Sequence, residues 1–206
     1  MNPRTFAILG LMVLTPLTVL AVINDGANGF PNAIVYSWTS LQIWLDLVIA
    51  VLLWCAWVVV DARAAGRNPW PWIIAALIVG CFSPLLYTLL YARWPGSAPL
   101  PGAVVSGSAR LVGMLAFLAL LVVTIVAVAV DGIQIADQVT RTTSNLQIWV
   151  DLVIAIVFWL GWMWADARAR GASPWGWLVF ALALGSFAPL VYLMVYDRSP
   201  ASHPPA

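Results

Sequence analysis

Six long apolar runs dominate the sequence and constrain its fold more than any other feature. Each is about 20 residues long, the length that an α-helix needs to cross roughly 30 Å of hydrocarbon in a bilayer. Gly, Pro, Asn, Ser and Arg lie between the runs, and Trp residues stand near their ends, as in membrane proteins. We therefore predict an all-α, multi-pass membrane protein with six transmembrane helices. The predicted spans are Phe6–Ile23, Leu41–Val60, Pro71–Tyr91, Leu111–Val130, Leu146–Ala165 and Trp175–Tyr196.

The composition agrees with a membrane location and excludes several functions. Hydrophobic residues make up 63% of the chain and charged residues 8%, too few polar groups to cover a water-soluble domain. The net charge of +1 offers no basic surface for nucleic acid. His203, the single histidine, lies in a Pro-rich tail, and Cys55 and Cys81 stand apart in apolar runs. The sequence therefore predicts no metal site and no cofactor, and it lacks the motifs of hydrolases, kinases and dehydrogenases.

The sequence also contains a tandem duplication. Residues 41–50 read LQIWLDLVIA and residues 146–155 read LQIWVDLVIA, and the match continues at a constant offset of 105. Over residues 41–93, 28 of 53 positions are identical to their counterparts at 146–198 without a gap. We expect two three-helix units, at residues 1–93 and 110–198, joined by a Pro/Gly/Ser linker at 94–109. A disordered Pro-rich tail at 199–206 is expected to follow.

The number of spans in each unit predicts the topology of the repeat. Three is an odd number, so the second unit is expected to enter the membrane in the opposite orientation, as an inverted-topology repeat. With a cytoplasmic N-terminus, five Arg residues fall on the cytoplasmic side and four on the other, which satisfies the positive-inside rule only narrowly. We accordingly predict the inner cell membrane, a cytoplasmic N-terminus, and Asp-Ala-Arg loops at Asp61 and Asp166 on opposite faces.

The pattern within each unit resembles a known family. An Asp early in the middle helix is followed fifteen residues later by a second acid with Arg and Gly, then by Trp, Gly, Pro-Leu, an aromatic residue and a closing Arg. This resembles the small three-helix bacterial membrane family filed as domain of unknown function 2834, present here twice. The resemblance implies the fold of the unit and supplies no activity. It rests on the pairs Asp46/Asp151, Asp61/Asp166, Gly66/Gly171 and Pro84/Pro189. In architecture only, the chain is also similar to small carotenoid-modifying membrane proteins of the lycopene-cyclase and neoxanthin-synthase types.

Asp46 and Asp151 are the main candidates for a functional role, as acids or as ion ligands. A charged side chain inside a membrane helix costs about 2.5–3.5 kcal/mol by insertion scales, so it usually faces protein or water and often marks function. The inverted arrangement would place one Asp near each leaflet, roughly 14 Å apart across the hydrocarbon core. A structural hydrogen bond near the interface is the alternative to a binding or catalytic role.

Two polar-aromatic stripes complete the candidate site. They fall on one face of the second helix and one face of the third run, where identity between the units is concentrated. We expect the stripes to face each other, with Gly allowing close approach, Pro loosening the helix, and Tyr hydroxyls donating to Asp46 and Asp151. A packing seam explains this pattern as well as a binding site does. The candidate substrate- or ion-binding residues are Gln42, Asp46, Trp54, Trp57, Tyr87, Tyr91, Gln147, Asp151, Trp159, Trp162, Tyr192 and Tyr196. The residues assigned to interfacial anchoring or packing are Asp61, Arg63, Gly66, Gly80, Pro84, Asp166, Arg168, Gly171, Gly185 and Pro189.

Three functions remain open at this point. The leading hypothesis is a small carrier or channel in which both Asp residues bind a proton or a cationic solute. The second is an enzyme acting on an isoprenoid or other lipid, with one Asp as general acid and the four stripe Trp residues stabilising a carbocation. The third is a non-catalytic subunit that packs against a membrane-protein partner. A polar cavity joining both Asp residues would favour the carrier, an apolar pocket holding one would favour the enzyme, and a solid core the subunit.

Overall fold

A computed structural model describes residues 2–26, 28–91, 107–133 and 135–196 of the chain. Within these ranges the protein is all-helical, with short loops and no β-strand. The helices are α1 (Pro3–Asp25), α2 (Gly29–Val35), α3 (Trp38–Ala64), α4 (Trp70–Val79), α5 (Phe82–Tyr91), α6 (Gly107–Asp131), α7 (Ile135–Thr140), α8 (Thr143–Ala169), α9 (Trp175–Leu184) and α10 (Phe187–Tyr196).

Four of these helices, α1, α3, α6 and α8, are long and apolar enough to cross a membrane. They coincide with the first, second, fourth and fifth predicted spans, and they identify a membrane-embedded helical protein. Helix α6 begins at Gly107, inside the predicted linker. Residues 94–106 of that linker and the tail at 199–206 lie outside the described residues.

The third apolar run of each unit does not form a single helix, so the prediction of six spans is not confirmed. Along a continuous helix Trp72 and Tyr91 would be about 28 Å apart, since each residue rises about 1.5 Å. Their ring centroids are instead 5.8 Å apart, and the Ser83 hydroxyl donates to the Trp72 carbonyl at 2.7 Å. Helices α4 and α5 therefore fold back on each other as a hairpin. Helices α9 and α10 do the same, with the Trp177 and Tyr192 rings 5.0 Å apart.

A glycine at each hairpin tip permits the reversal. Gly80 has φ 58° and ψ −133°, and Gly185 has φ 58° and ψ −132°. This backbone region is accessible almost only to glycine. Pro84 and Pro189 follow in the first turn of the second hairpin helix, where a missing N–H removes no helical hydrogen bond. Proline therefore does not loosen the middle of a span here, contrary to the prediction.

The two units point in the same direction. The side-chain amide of Asn145, at the start of α8, donates to the Ser40 hydroxyl at the start of α3, at 3.3 Å. The carboxylate of Asp25, at the end of α1, accepts a hydrogen bond from the Ser144 N–H, and that of Asp131, at the end of α6, accepts one from the Thr39 N–H. The loop between the two long helices of the first unit and the loop between those of the second unit therefore lie at the same face of the molecule. This geometry contradicts the inverted arrangement, because each unit contains two long helices and a returning hairpin rather than three spans.

We call the end of the molecule that carries the start of α1 the N-face, and the end where α3 and α8 begin the distal face. Both hairpins open at the N-face, since Tyr87 of α5 contacts Asp61 near the end of α3, and Tyr192 of α10 contacts Asp166 near the end of α8. The units also interlock, because α1 packs against α8 of the second unit and α6 packs against α3 of the first.

Candidate functional site

Asp46 and Asp151 bind the tips of the hairpins, each in the opposite unit. The Asp46 carboxylate accepts a hydrogen bond from the Ser186 N–H at 2.8 Å, and the Ser186 hydroxyl donates to the Asp46 carbonyl at 3.0 Å. Asp151 accepts from the Cys81 N–H at 3.0 Å, and the Cys81 thiol lies 3.3 Å from the Asp151 carbonyl. The two sites are equivalent under the offset of 105 residues. Each Asp therefore caps the first turn of a helix that begins inside the protein.

The capping geometry explains both the glycines and the buried charges. A Cβ on Gly80 would overlap the Asp151 carboxylate, and one on Gly185 would overlap that of Asp46. The positive end of the helix dipole and an otherwise unpaired N–H stabilise each carboxylate. Asp46 and Asp151 are both 4% exposed. The expected close approach at glycine is therefore real, but the approaching group is an Asp side chain and not a neighbouring helix.

The Tyr hydroxyls have different partners from those predicted. Tyr87 donates to Asp61 at 2.5 Å, and Tyr192 donates to Asp166 at 2.7 Å. Asp61 and Asp166, assigned to interfacial anchoring from the sequence, are buried at 3% and 8% exposure. The prediction that Tyr87 and Tyr192 serve Asp46 and Asp151 is wrong, because the hairpin turns the Tyr residues back towards the N-face.

Each of these Tyr–Asp pairs also contacts an Arg, and the two Arg residues do not correspond under the repeat. The Arg170 guanidinium contacts Asp166 through Nε at 2.7 Å and Nη2 at 3.3 Å. In the first unit Arg67 reaches Asp61 at 3.6 Å and stacks on the Tyr91 ring at 3.9 Å. Arg67 lies six positions after its Asp and Arg170 four, so the duplication offered no signal for either. The Arg63 and Arg168 side chains remain exposed, in agreement with an interfacial position.

The stripe aromatics pack against one another in two clusters, one in each unit. In the first, Trp54, Trp57 and Trp72 meet the Tyr87 ring edge-on at centroid distances of 5.9, 5.9 and 5.2 Å. In the second, Trp162 and Trp177 meet the Tyr192 ring at 5.3 and 5.0 Å. The stripes of the second helix and the third run therefore do face each other within a unit, as expected. The Trp rings are in contact with other protein side chains, an arrangement that suits packing better than stabilisation of a carbocation.

A cavity in the half of the molecule towards the distal face contains three of the residues singled out from the sequence, Gly80, Gln147 and Asp151. We call this cavity the tip groove; it has a volume of about 330 Å³ and lies beside the tip of the first hairpin. Asp151 and Gln147 supply its main polar groups, and Leu77 and Ile78, at 60% and 75% exposure, stand at its outer edge. The groove is also lined by Thr18, Phe30, Ile34, Trp44, Leu47, Val48, Val51, Ala76, Val79, Gly80, Phe82 and Ile148. Asp46, the counterpart of Asp151, does not line it.

The remaining predicted residues are spread over the molecule. Gln42 is half-buried on α3, Tyr91 is half-buried at the end of α5, and the side chain of Tyr196 lies outside the described part of the chain. Gly66 and Gly171 have φ 67° and 68° just after α3 and α8, as expected for helix C-caps. Trp159 packs against Trp162 at a centroid distance of 5.4 Å and donates its indole N–H to the Ala50 carbonyl at 3.2 Å, which joins α8 to α3.

Sequence reasoning missed the caps at the distal face. Asp25 and Asp131 each cap a helix of the other unit, at 2.6 and 2.7 Å from the N–H nitrogen of Ser144 and Thr39. The shared Asp-Gly after the first helix of each unit was the available signal, because a polar pair repeated between otherwise unlike helices indicates a common contact.

Comparison of the chain with protein-family profiles, curated proteins and solved structures finds no match.

Proposed function

We propose that the chain crosses the membrane four times, through α1, α3, α6 and α8, and that both hairpins enter the bilayer from the N-face and return to it. The hairpins carry outward-facing apolar side chains, such as Leu77 and Leu182 at 60% and 73% exposure, which suit contact with lipid. Two spans per unit keep both units in one orientation. The relation of each unit to the three-helix family filed as domain of unknown function 2834 remains part of this proposal.

The distribution of Arg supports a cytoplasmic N-face. Among the side chains that the structure describes, Arg4, Arg63, Arg67, Arg168 and Arg170 lie at the N-face. Arg141, between α7 and α8, is the one described Arg at the distal face. With six spans the Arg residues were divided almost equally between the two sides of the membrane. With four spans most of them lie on one side, because the hairpins do not carry the chain across the membrane. By the positive-inside rule, the N-terminus is cytoplasmic in the inner membrane.

For activity, we propose that the tip groove binds a lipophilic molecule, isoprenoid or other lipid, that carries a hydroxyl or amino group. The observation that carries this proposal is an apolar groove that holds one of the two intramembrane Asp residues. Exposed Leu77 and Ile78 give the groove an opening towards the hydrocarbon. Asp151 and the Gln147 amide would accept hydrogen bonds from the polar group of the ligand.

This arrangement favours a lipid-directed protein over the carrier hypothesis. A carrier that uses both Asp residues in one cycle needs them in a common polar site. Here each carboxylate is held by a backbone N–H at a separate hairpin tip. If the protein also converts the bound lipid, it is an enzyme in which Asp151 acts as the acid in the groove. The filled aromatic clusters are what an accessory subunit would show, but a subunit has no need of the groove.

Equal substitutions at the two Asp residues provide a matched test. A diazirine-labelled isoprenoid alcohol would be cross-linked to wild type, Asp151→Asn and Asp46→Asn in lipid vesicles. Loss of charge from a buried acceptor weakens a hydrogen bond by roughly 1.4 kcal/mol, about tenfold in affinity. We expect Asp151→Asn to reduce labelling of groove residues about tenfold and Asp46→Asn to leave it unchanged, with similar thermal stability of the two variants.

Two other results would overturn the proposal. Equal loss in both variants would point back to a symmetric pair and the carrier hypothesis. Labelling that neither variant changes, or that maps outside the tip groove, would mean that the Asp residues are caps only. Val48→Trp, which fills the groove and keeps both Asp residues, should reduce labelling in the same way as Asp151→Asn.

A further inference from the structure

The two units differ where α2 and α7 pack against the starts of the long helices. Gln138 of α7 is 7% exposed, and its side-chain oxygen accepts a hydrogen bond from the Ser40 hydroxyl at 3.4 Å. Its counterpart at the offset of 105 residues is Ala33 of α2, and the counterpart of Ser40 is Asn145. An amide thus fills the space in the second unit, whereas a methyl group leaves it open in the first.

The open space is a polar cavity at the distal face with a volume of about 250 Å³. We call it the distal pocket. Asp25 supplies a carboxylate, and Asn32 and Asn145 supply amide groups. Gly29, Ala33, Tyr36 and Thr142 complete the lining. It is separate from the tip groove, because Ala33 of α2 and Tyr36, just after α2, line the distal pocket, whereas Phe30 and Ile34 of α2 line the groove.

Opposite charges flank this pocket. The Asp25 carboxylate uses one oxygen to cap α8 through the Ser144 N–H at 2.6 Å, and it also faces the cavity. The Arg141 guanidinium stacks on the ring of Tyr36, a lining residue, at 3.8 Å, and it is exposed. A carboxylate, amide acceptors and a neighbouring guanidinium are complementary to a molecule that carries both an ammonium and a phosphate.

We propose that the distal pocket binds the head group of an ethanolamine phospholipid, with the ammonium at Asp25 and the phosphate at Arg141. A primary ammonium donates three hydrogen bonds, which the oxygens of Asp25, Asn32 and Asn145 can accept. A quaternary ammonium would need an aromatic cage, and Arg141 already covers the Tyr36 ring. The position at the end of α1 and the start of α8 places the pocket at head-group depth in the non-cytoplasmic leaflet. The proposal rests on the membrane placement above and not on a ligand in the tip groove.

Copying the second unit into the first closes the pocket. In Ala33→Gln the new amide occupies the cavity and can bond Asn145, as Gln138 bonds Ser40. Native mass spectrometry of the purified protein would compare retention of ethanolamine and choline phospholipids. We expect wild type to retain ethanolamine lipid at least tenfold better than choline lipid, and Ala33→Gln to lose that preference. Ala136→Gln, the same change at an exposed position of α7, is the control and should behave as wild type.

Two further variants keep the test decisive if Ala33→Gln folds poorly. Asp25→Asn removes the charge but retains an oxygen that can cap α8, and Arg141→Gln removes the phosphate contact. Each should reduce retention of ethanolamine lipid about tenfold without a matching change for choline lipid. Equal retention of both lipids in wild type, or no effect of the three variants, would overturn the proposal. Displacement of the lipid by free phosphoethanolamine at an equal concentration would assign the pocket to a soluble ligand and overturn the lipid assignment.

Discussion

At the residue scale, the buried carboxylates of Asp46 and Asp151 serve the backbone. Asp46 and Asp151 each bind an N–H group that has no helical partner, because it belongs to the residue just before α10 or α5. Without the carboxylate that N–H would be buried and unpaired, far from water. The burial of the charge and the burial of the helix end therefore compensate each other, and neither would be tolerated alone.

The capping role predicts that Leu and Asn variants of Asp46 and Asp151 differ in stability. Asp46→Leu and Asp151→Leu should each lower the free energy of unfolding by about 1–3 kcal/mol, the cost of one unsatisfied buried donor. The corresponding Asn variants should lose less, because an amide oxygen still accepts from the N–H. Thermal unfolding in detergent would measure the four variants against Asp137→Leu, a change on an exposed residue of α7. Leu variants as stable as this control would show that the caps contribute nothing.

At the scale of the element, each hairpin depends on one glycine and one distant Asp. The reversal needs a backbone conformation that residues with a Cβ rarely adopt, and the carboxylate occupies the space that a Cβ would take. The two requirements meet at Gly80 and Gly185 and at no other glycine of the described chain. The hairpin is therefore built jointly by two units and is not an autonomous motif.

Alanine at the tips should be strongly unfavourable. Gly80→Ala and Gly185→Ala each add backbone strain of about 1–3 kcal/mol, and they push the capping Asp away as well. Gly176→Ala, in α9 with open space around its Cα, is the matched control and should be neutral or stabilising. Thermal unfolding and protease sensitivity of the tip would report the difference. Gly80→Ala as stable as Gly176→Ala would contradict the positive φ and the close Asp151 carboxylate at the tip.

At the scale of the whole molecule, the hairpins decide the topology. Because α4–α5 returns to the N-face, α6 starts at the same face as α1, and the second unit repeats the first without inversion. Reciprocal caps then tie the units together at two depths, Asp25 and Asp131 at the distal face and Asp46 and Asp151 at the tips. The molecule is thus a parallel, interlocked pair.

Accessibility of introduced cysteines tests this topology. In a background of Cys55→Ala and Cys81→Ser, we expect Arg67→Cys and Ala172→Cys to react with an impermeant thiol reagent from the same side. That side should be the cytoplasmic one, so reaction should occur in inside-out vesicles. Asn28→Cys, at the distal face, should react only in right-side-out vesicles. Reaction of positions 67 and 172 from opposite sides would restore the inverted arrangement.

The sequence alone predicts a membrane protein, six apolar runs and two similar units, and four of the six runs form long helices in the structure. These follow from local properties, since about 20 apolar residues and a repeated pattern need no knowledge of partners. It also located Asp46, Asp151, Gly80 and Gly185 as special, because polar groups and glycines are conspicuous in apolar runs.

The roles of those residues follow from tertiary contacts. Hydropathy cannot distinguish a 22-residue span from a hairpin of the same composition, because both bury the same side chains in hydrocarbon. The distinction depends on the φ of one glycine and on a carboxylate 70 residues away for Asp151 and 140 residues away for Asp46. Contacts of that separation are absent from any local pattern. The direction of the third run, and with it the orientation of the second unit and the partners of Tyr87 and Tyr192, therefore had to come from the fold.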